Sequence, residues 1–197
     1  MRTILAVALS GVLLWPANAA PQQPRFPAAV QRLEVQALAG TWHEVASSGV
    51  SRHGPCVANV SFEWVLRGMT AIDVTRRCSA ASGSVVRRGR MRIPRTEPQG
   101  RLSIRFTPAV VAWLPAVWDD HWILAIGPDH RWLLIGDRTR RHFSVLSRWL
   151  SLDEASLARA IAAARSQGFD VSGLSAGTMS GARSKRSADA QTMLSAS

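Results

Sequence analysis

From Gly40 onward the chain alternates. Val60-Ser-Phe62-Glu-Trp64 is apolar at even positions and polar between them, and Ile72-Asp-Val74 and Leu102-Ser-Ile104-Arg-Phe106 repeat the pattern. A period of two marks strands with one dry face and one wet face. Gly40–Ser47, Ser84–Ile93, His121–Gly127, Arg131–Asp137 and Arg141–Arg148 bring the set to eight. Turn signals separate them: Arg67-Gly68, Pro98-Gln99-Gly100, Pro128-Asp129 and Arg138-Thr139. Strands about ten residues apart with short turns predict an antiparallel meander, hence a barrel or a sandwich.

The late strands break the alternation. Trp122-Ile-Leu-Ala-Ile126 and Trp132-Leu-Leu-Ile135 are apolar on both faces, so something must cover their outside. The cover is the one helix the sequence predicts. Ser151-x-x-Glu154 reads as a capping box, Leu157, Ala160, Ile161 and Ala164 form one stripe, and Gly168 stands where a left-handed residue ends the helix.

The ends read differently from the middle. Met1-Arg2, the apolar run Ile4 to Trp15 and Ala17-Asn18-Ala19 have the layout of a cleaved signal peptide over residues 1–19. That run is about eight residues short of a membrane span. Residues 20–32 hold Pro21, Pro24 and Pro27 and predict an extended, mobile leader. Residues 175–197 are rich in Ser, Ala, Gly and Thr and predict a disordered tail, which leaves 33–174 as the folded unit. Export implies a periplasmic or secreted protein. It also makes a bridge between Cys56 and Cys78, the two cysteines of the chain, the favoured reading over two buried thiols.

Composition changes the picture in one respect. With 24 Lys+Arg against 13 Asp+Glu the chain carries +11, and every cation but Lys185 is arginine. That bias belongs partly to codon usage. The clusters Arg76-Arg77, Arg87-Arg88-Gly-Arg90-x-Arg92 and Arg138-x-Arg140-Arg141 still form possible contacts for an anionic membrane surface. No aromatics interleave them and no nucleic-acid motif is present, so a nucleic-acid partner is not implied.

Three pieces, in order, resemble the lipocalin family: Gly40-Thr41-Trp42, Gly127-Pro-Asp129-His130-Arg131 and Leu146-Ser147-Arg148. Trp42-His-Glu44-Val-Ala46, Val60-x-Phe62-x-Trp64, Ile72-x-Val74-x-x-x-Cys78 and Gly168-Phe-Asp170 look most like its bacterial, apolipoprotein D-like branch. That branch's lipid-attachment cysteine is missing, and His130 stands where its second motif usually has tyrosine. The resemblance implies an all-β fold: an eight-stranded antiparallel up-and-down barrel with one C-terminal helix packed outside. Eight-stranded barrels, lipocalins among the known examples, have room for one small ligand. It also implies that Trp42 closes the barrel floor with Arg148 across its face, a cation–π contact of about 0.5–2 kcal/mol.

Candidate chemistry is sparse. Gly173-Leu-Ser175-Ala-Gly177 matches the nucleophile-elbow pattern, but it follows the last helix instead of sitting on a strand-to-helix turn. Asp119-Asp120-His121 lacks a second cluster to complete a metal site. Asn59-Val-Ser61 is a glycosylation sequon inside a predicted strand. No acid/base pair suggests an enzyme, and no cofactor or metal is implied.

Parity then selects a ligand-binding set. Counting from Trp42 turns Glu44 inward, and counting back from Arg148 turns Ser144 and His142 inward. With Val60, Phe62, Trp64, Ile72, Val74, Ile104, Phe106 and His121 they line the expected interior. The same count leaves Arg76 two options, the barrel interior beside Ile72 and Val74 or an outer face shared with Arg88, Arg90 and Arg92. The expected function is a carrier of a fatty acid or lysophospholipid in envelope lipid transport, storage or scavenging. The competing expectation is a plugged barrel that binds anionic membranes through its arginines.

Overall fold

The computed structural model describes residues 24–48 and 56–176. Ten strands form one antiparallel sheet: β1 (Gly40–Ser48), β2 (Ala58–Leu66), β3 (Ala71–Ala80), β4 (Gly83–Arg92), β5 (Ser103–Arg105), β6 (Asp119–Asp120), β7 (Trp122–Ile126), β8 (Trp132–Gly136), β9 (Phe143–Ser147) and β10 (Ser175–Ala176). Nine run in the order β6-β5-β4-β3-β2-β1-β9-β8-β7, and β10 adds to β1. Two short strands bring the count above the expected eight: β10, and β6, which lies ahead of the expected sixth strand His121–Gly127 and is broken from β7 at His121. Backbone bonds across that break, His121 N to Leu102 O at 3.0 Å and Ile123 N to Gly100 O at 2.8 Å, close the sheet on itself. The result is a barrel.

Two hydrophobic clusters divide the late strands. Inside, Trp42, Phe62, Trp64, Ile72, Val74, Met91, Leu102, Ile104, Ile123, Leu133 and Leu146 pack together. Outside, Trp122, Leu124, Leu134, Phe143 and Val145 pack under the helix and Phe169. Both faces of β7 to β9 are therefore dry, as their unbroken apolar runs require.

Helix α1 (Glu154–Ser166) lies on β7, β8 and β9 and buries Ser156, Ala160 and Ala164. Leu157 and Ile161 flank that stripe, half-buried. Its start differs from expectation. The cap is Asp153, whose carboxylate accepts from Ser156 N at 2.8 Å, and the Ser151–Glu154 box does not form. Asp153 has the same three-residue relation to Ser156 that the box had to Glu154, and a carboxylate is also favoured beside the positive helix end. The other end is as expected. Gly168 has φ +84°, and the bonds Phe169 N to Ala164 O and Gly168 N to Arg165 O complete a Schellman turn. Phe169 then meets Phe143 edge-on at 5.6 Å.

Both flanks of the expected folded unit contribute to it. Within the leader, Val30 N bonds to Ile123 O at 3.0 Å, Ala28 N to Gln167 Oε1 at 2.7 Å, and Ala29 is buried. Arg140 donates to the carbonyls of Pro24 and Arg25. Residues 24–32 are thus seated on the barrel, because their carbonyls and amides find partners there. Ser175 and Ala176, at the start of the expected tail, pair with Ser47 and Ala46. The expected signal peptide and the rest of the tail lie outside the described residues.

Cys56 and Cys78 form a disulfide, Cα to Cα 5.7 Å, joining the start of β2 to the end of β3. No helix among the described residues is long and apolar enough to cross a membrane.

Candidate functional site

Strand parity and three register shifts, on β1, β2 and β7, set the interior. On β3, Ile72, Val74, Arg76 and Cys78 alternate inward, facing Trp64 and Phe62 across the β2 pairing. On β1 the register slips between Glu44 and Ala46, so Val45 and Ala46 both join the outer cluster. The bulge keeps Glu44 opposite Leu146 and Ser47 opposite Ser144, all on the inner face. Arg76 takes the inward option. It is 3% exposed, and Arg88, Arg90 and Arg92 stay outside.

Above the packed layer lies a cavity of about 440 Å³ that opens at the mouth. Phe62, Ile135, Glu44, Arg76, Ser144 and His121 line its depth. Ser144 Oγ donates to Glu44 Oε2 at 2.8 Å, so the inward carboxylate is hydrogen-bonded. Burial pushes the Arg76 guanidinium below its ordinary pKa, the Glu44 carboxylate opposes that shift, and Arg87 adds to it. The His121 ring sits 6.4 Å from Phe62 and 6.5 Å from Trp64, centroid to centroid.

The rim is charged. Asp119, Asp120, Asp137, Arg138, Arg141 and His142 surround the opening. Burial raises the Asp120 carboxyl above its usual range even though Arg138 stands 3.0 Å away. Asp137 is occupied by its own turn, accepting from Thr139 N at 2.6 Å and His142 N at 3.0 Å.

The opposite end is sealed. The Arg148 guanidinium carbon lies 3.6 Å from the centroid of the Trp42 ring. Its nitrogens donate to the carbonyls of Ala37, Ala39 and Thr41. Trp42 Nε1 donates to Leu38 O at 2.9 Å, fixing the 3₁₀ turn Val35–Leu38 under the barrel. Gly40 has φ +100°, and a Cβ there would lie 3.3 Å from Arg148 Nη1. A side chain at that position would therefore meet both backbone strain and the guanidinium.

The expected lining set thus divides. Glu44, Phe62, His121, His142 and Ser144 border the cavity. Trp64, Ile72, Val74 and Ile104 fill the packed lower half, Val60 is buried beside them, and Phe106 packs half-buried against the same cluster. Sequence reasoning omitted Ile135 from the site, although its alternation with Leu133 on β8 marks it as inward. It also could not pair Trp118 with the mouth, because that residue follows a loop without periodicity.

Residues 33–178 match the model of the lipocalin-like domain, and the chain belongs to the lipocalin family. It is 24% identical over 147 residues to temperature-induced lipocalin-1 of Arabidopsis thaliana, covering 74% of this chain and 78% of that one. Insecticyanin of the tobacco hornworm Manduca sexta superposes with a TM-score of 0.60 at 17% identity, covering 79% of this chain and 86% of that one. Lipocalin 12 from rat epididymis gives 0.61 at 15% identity, covering 81% and 94%. Lobster apocrustacyanin A1 gives 0.59 at 16% identity, covering 74% and 79%. At these identities the structures establish the fold. Members of the family bind and carry small hydrophobic ligands, are generally secreted or extracellular, and are typically not enzymes.

Proposed function

We propose that the protein is an exported carrier of a small amphipathic lipid, of the fatty acid or lysophospholipid class, bound in the upper half of the barrel. One observation carries this reading: the cavity of about 440 Å³ sets Phe62 and Ile135 beside Glu44, Ser144 and Arg76. Such a mixture suits a ligand with an apolar part and one anionic or hydroxyl-bearing group. Arg76 offers the cation for the anionic end, and Glu44 offers an acceptor for a hydroxyl. The volume lies near the low end of the range for ligand pockets, roughly 300–1,000 Å³. The packed tryptophans below it favour a short or folded acyl chain.

A role in envelope lipid transport, storage or scavenging, a place in the bacterial, apolipoprotein D-like branch, and a periplasmic or secreted location belong to the same proposal. Signal-peptide layout, the disulfide and the quoted motifs support them. The test is a calorimetric titration with carboxylates of increasing acyl length. Affinity is expected to rise by about 0.8 kcal/mol per buried methylene and then level off once the cavity is full. Absence of saturable binding at every length would overturn the reading. Native mass spectrometry of protein purified from its own compartment identifies the lipid directly.

A further inference from the structure

A second set of polar groups lies on the outside of the wall, where Trp118 is the one residue shared with the lining of the barrel cavity. Asp73, Arg90 and Arg105 stand side by side across β3, β4 and β5, and Arg92 follows between Ala71 and Ser103. Their parity is opposite to that of Met91 and Ile104, which are buried inside, so these side chains belong to the outer face. The segment 107–118 folds back over this face. Trp118 Nε1 donates to Ala112 O at 2.9 Å, and the Arg105 guanidinium donates to the Thr107 carbonyl. Between wall and segment runs a groove of about 460 Å³, lined by Thr70, Arg90, Arg92, Arg95, Arg105 and Trp118 among others.

The charge of this groove is unbalanced. Asp73 is the neighbouring carboxylate, and it is shared between Arg67 at 2.6 Å and Arg90 at 2.7 Å. Among the described residues, Arg92, Arg95 and Arg105 have no carboxylate within ion-pairing distance. Arg105 is also 8% exposed, and its Nε has no acceptor among the described residues. A buried guanidinium with an unmet donor costs free energy unless something accepts from it. Trp118 orients two of these cations: the guanidinium carbons of Arg92 and Arg105 lie 3.7 Å and 5.3 Å from its ring centroid. Stacking uses the flat faces of the guanidinium and leaves its in-plane N–H groups for an oxyanion.

We propose that this groove binds a phosphoryl group, with Arg92, Arg95 and Arg105 as its ligands. Several fork-shaped donors around one site fit a tetrahedral dianion, whose oxygens accept bidentate bonds from more than one arginine. The phosphoryl group belongs either to a soluble ester or to a lipid head group, and both present the same chemistry to the groove.

The test uses the whole mature protein and glycerol 3-phosphate as the soluble probe, titrated by calorimetry at low and high salt. One saturable site is expected, weakened by salt, with affinity falling at least tenfold in Arg92→Gln/Arg95→Gln. Both of those residues are exposed, so the variant is expected to fold, and its uptake of an acyl carboxylate into the barrel is expected to match the parent. Arg105→Gln is expected to lose binding as well, and the exposed pair carries the test if it does not fold. Absence of saturable binding, or equal affinity in parent and Arg92→Gln/Arg95→Gln, overturns the proposal. Vesicles of phosphatidic acid, against phosphatidylcholine alone, assign the source. Vesicle binding that glycerol 3-phosphate displaces and the variant lacks assigns the lipid head group. Binding of glycerol 3-phosphate without vesicle binding assigns the soluble ester.

Discussion

The two ends of the barrel spend their polar groups differently. At the closed end, Arg148 and Trp42 Nε1 donate to backbone carbonyls of residues 37 to 41, so these donors complete the fold. At the open end, Ser144 donates to Glu44, Arg76 lies buried beside them, and these side chains border a cavity. The same strands serve both ends. What separates them is whether the partner is backbone, which fixes a shape, or another side chain facing space, which a ligand can replace. A polar residue inside a barrel is therefore a functional candidate only when its partners are not the chain's own carbonyls.

The largest test of that contrast is at the sealed end. Trp42→Ala empties a fully buried indole site and is expected to cost roughly 3–5 kcal/mol. Arg148→Ala loses the ring contact and leaves three carbonyls without their donor, so it also lowers stability, by a smaller amount. Urea unfolding measures both. If either variant unfolds at the parent's midpoint, the closed end is not the fold's anchor.

Next comes the disulfide, which ties the wall near the open end. Replacing Cys56 and Cys78 by serine releases residues 22 apart and is expected to cost about 3 kcal/mol in the chain-entropy picture. Chemical denaturation of the oxidised parent against the double variant measures it.

The open end is expected to respond in the opposite sense, with affinity moving and stability nearly still. Arg76→Gln removes both the cost of burying a cation and its attraction to Glu44, two effects of opposite sign, so the melting temperature is expected to change little. Binding of an acyl carboxylate is expected to weaken about tenfold, equivalent to roughly 1.4 kcal/mol. Parallel thermal melts and titrations separate the two quantities. A large loss of stability with unchanged affinity would move Arg76 to the structural side of the comparison.

The smallest effect belongs to the outer wall. The Arg67 hydrogen bond, aided by Arg90, holds the Asp73 carboxyl below its usual range. A depressed carboxyl contributes stability that is complete above the unfolded value, about pH 3.9, and is lost as pH falls through the lower folded value. Asp73→Asn removes that contribution and is expected to flatten the acid limb of the stability profile, read by urea melts at a series of acidic pH values. Its side chain is 31% exposed, so solvent screening keeps the change small.

Much of the fold was legible because a period of two survives without any knowledge of neighbours. Val60, Phe62 and Trp64 are inward by parity, and so they are in the structure. Parity also placed Glu44, which the Val45 bulge leaves untouched because the extra residue comes after it. Depth was not legible. Parity tells which face a side chain takes but not whether its neighbours across the barrel fill the space. Trp42, Trp64, Met91 and Leu133 do so from four strands, and sequence spacing contains no such distance. The helix cap was misplaced by two residues for a similar reason. Ser151 and Asp153 are both acceptable caps by residue type, and it is Asp153 whose carboxylate accepts from the first turn, at Ser156 N.

The Arg148 seal has a kinetic side. It joins residues 107 to 111 positions apart, whereas β2, β3 and β4 pair with their immediate neighbours in sequence. Contacts of such separation are closed late, after the hairpins have shortened the effective loop. An interaction absent from the transition state slows unfolding without speeding folding. The guanidinium over Trp42 is thus expected to act chiefly as a latch on lifetime, with Arg148→Ala raising the unfolding rate more than it lowers the folding rate.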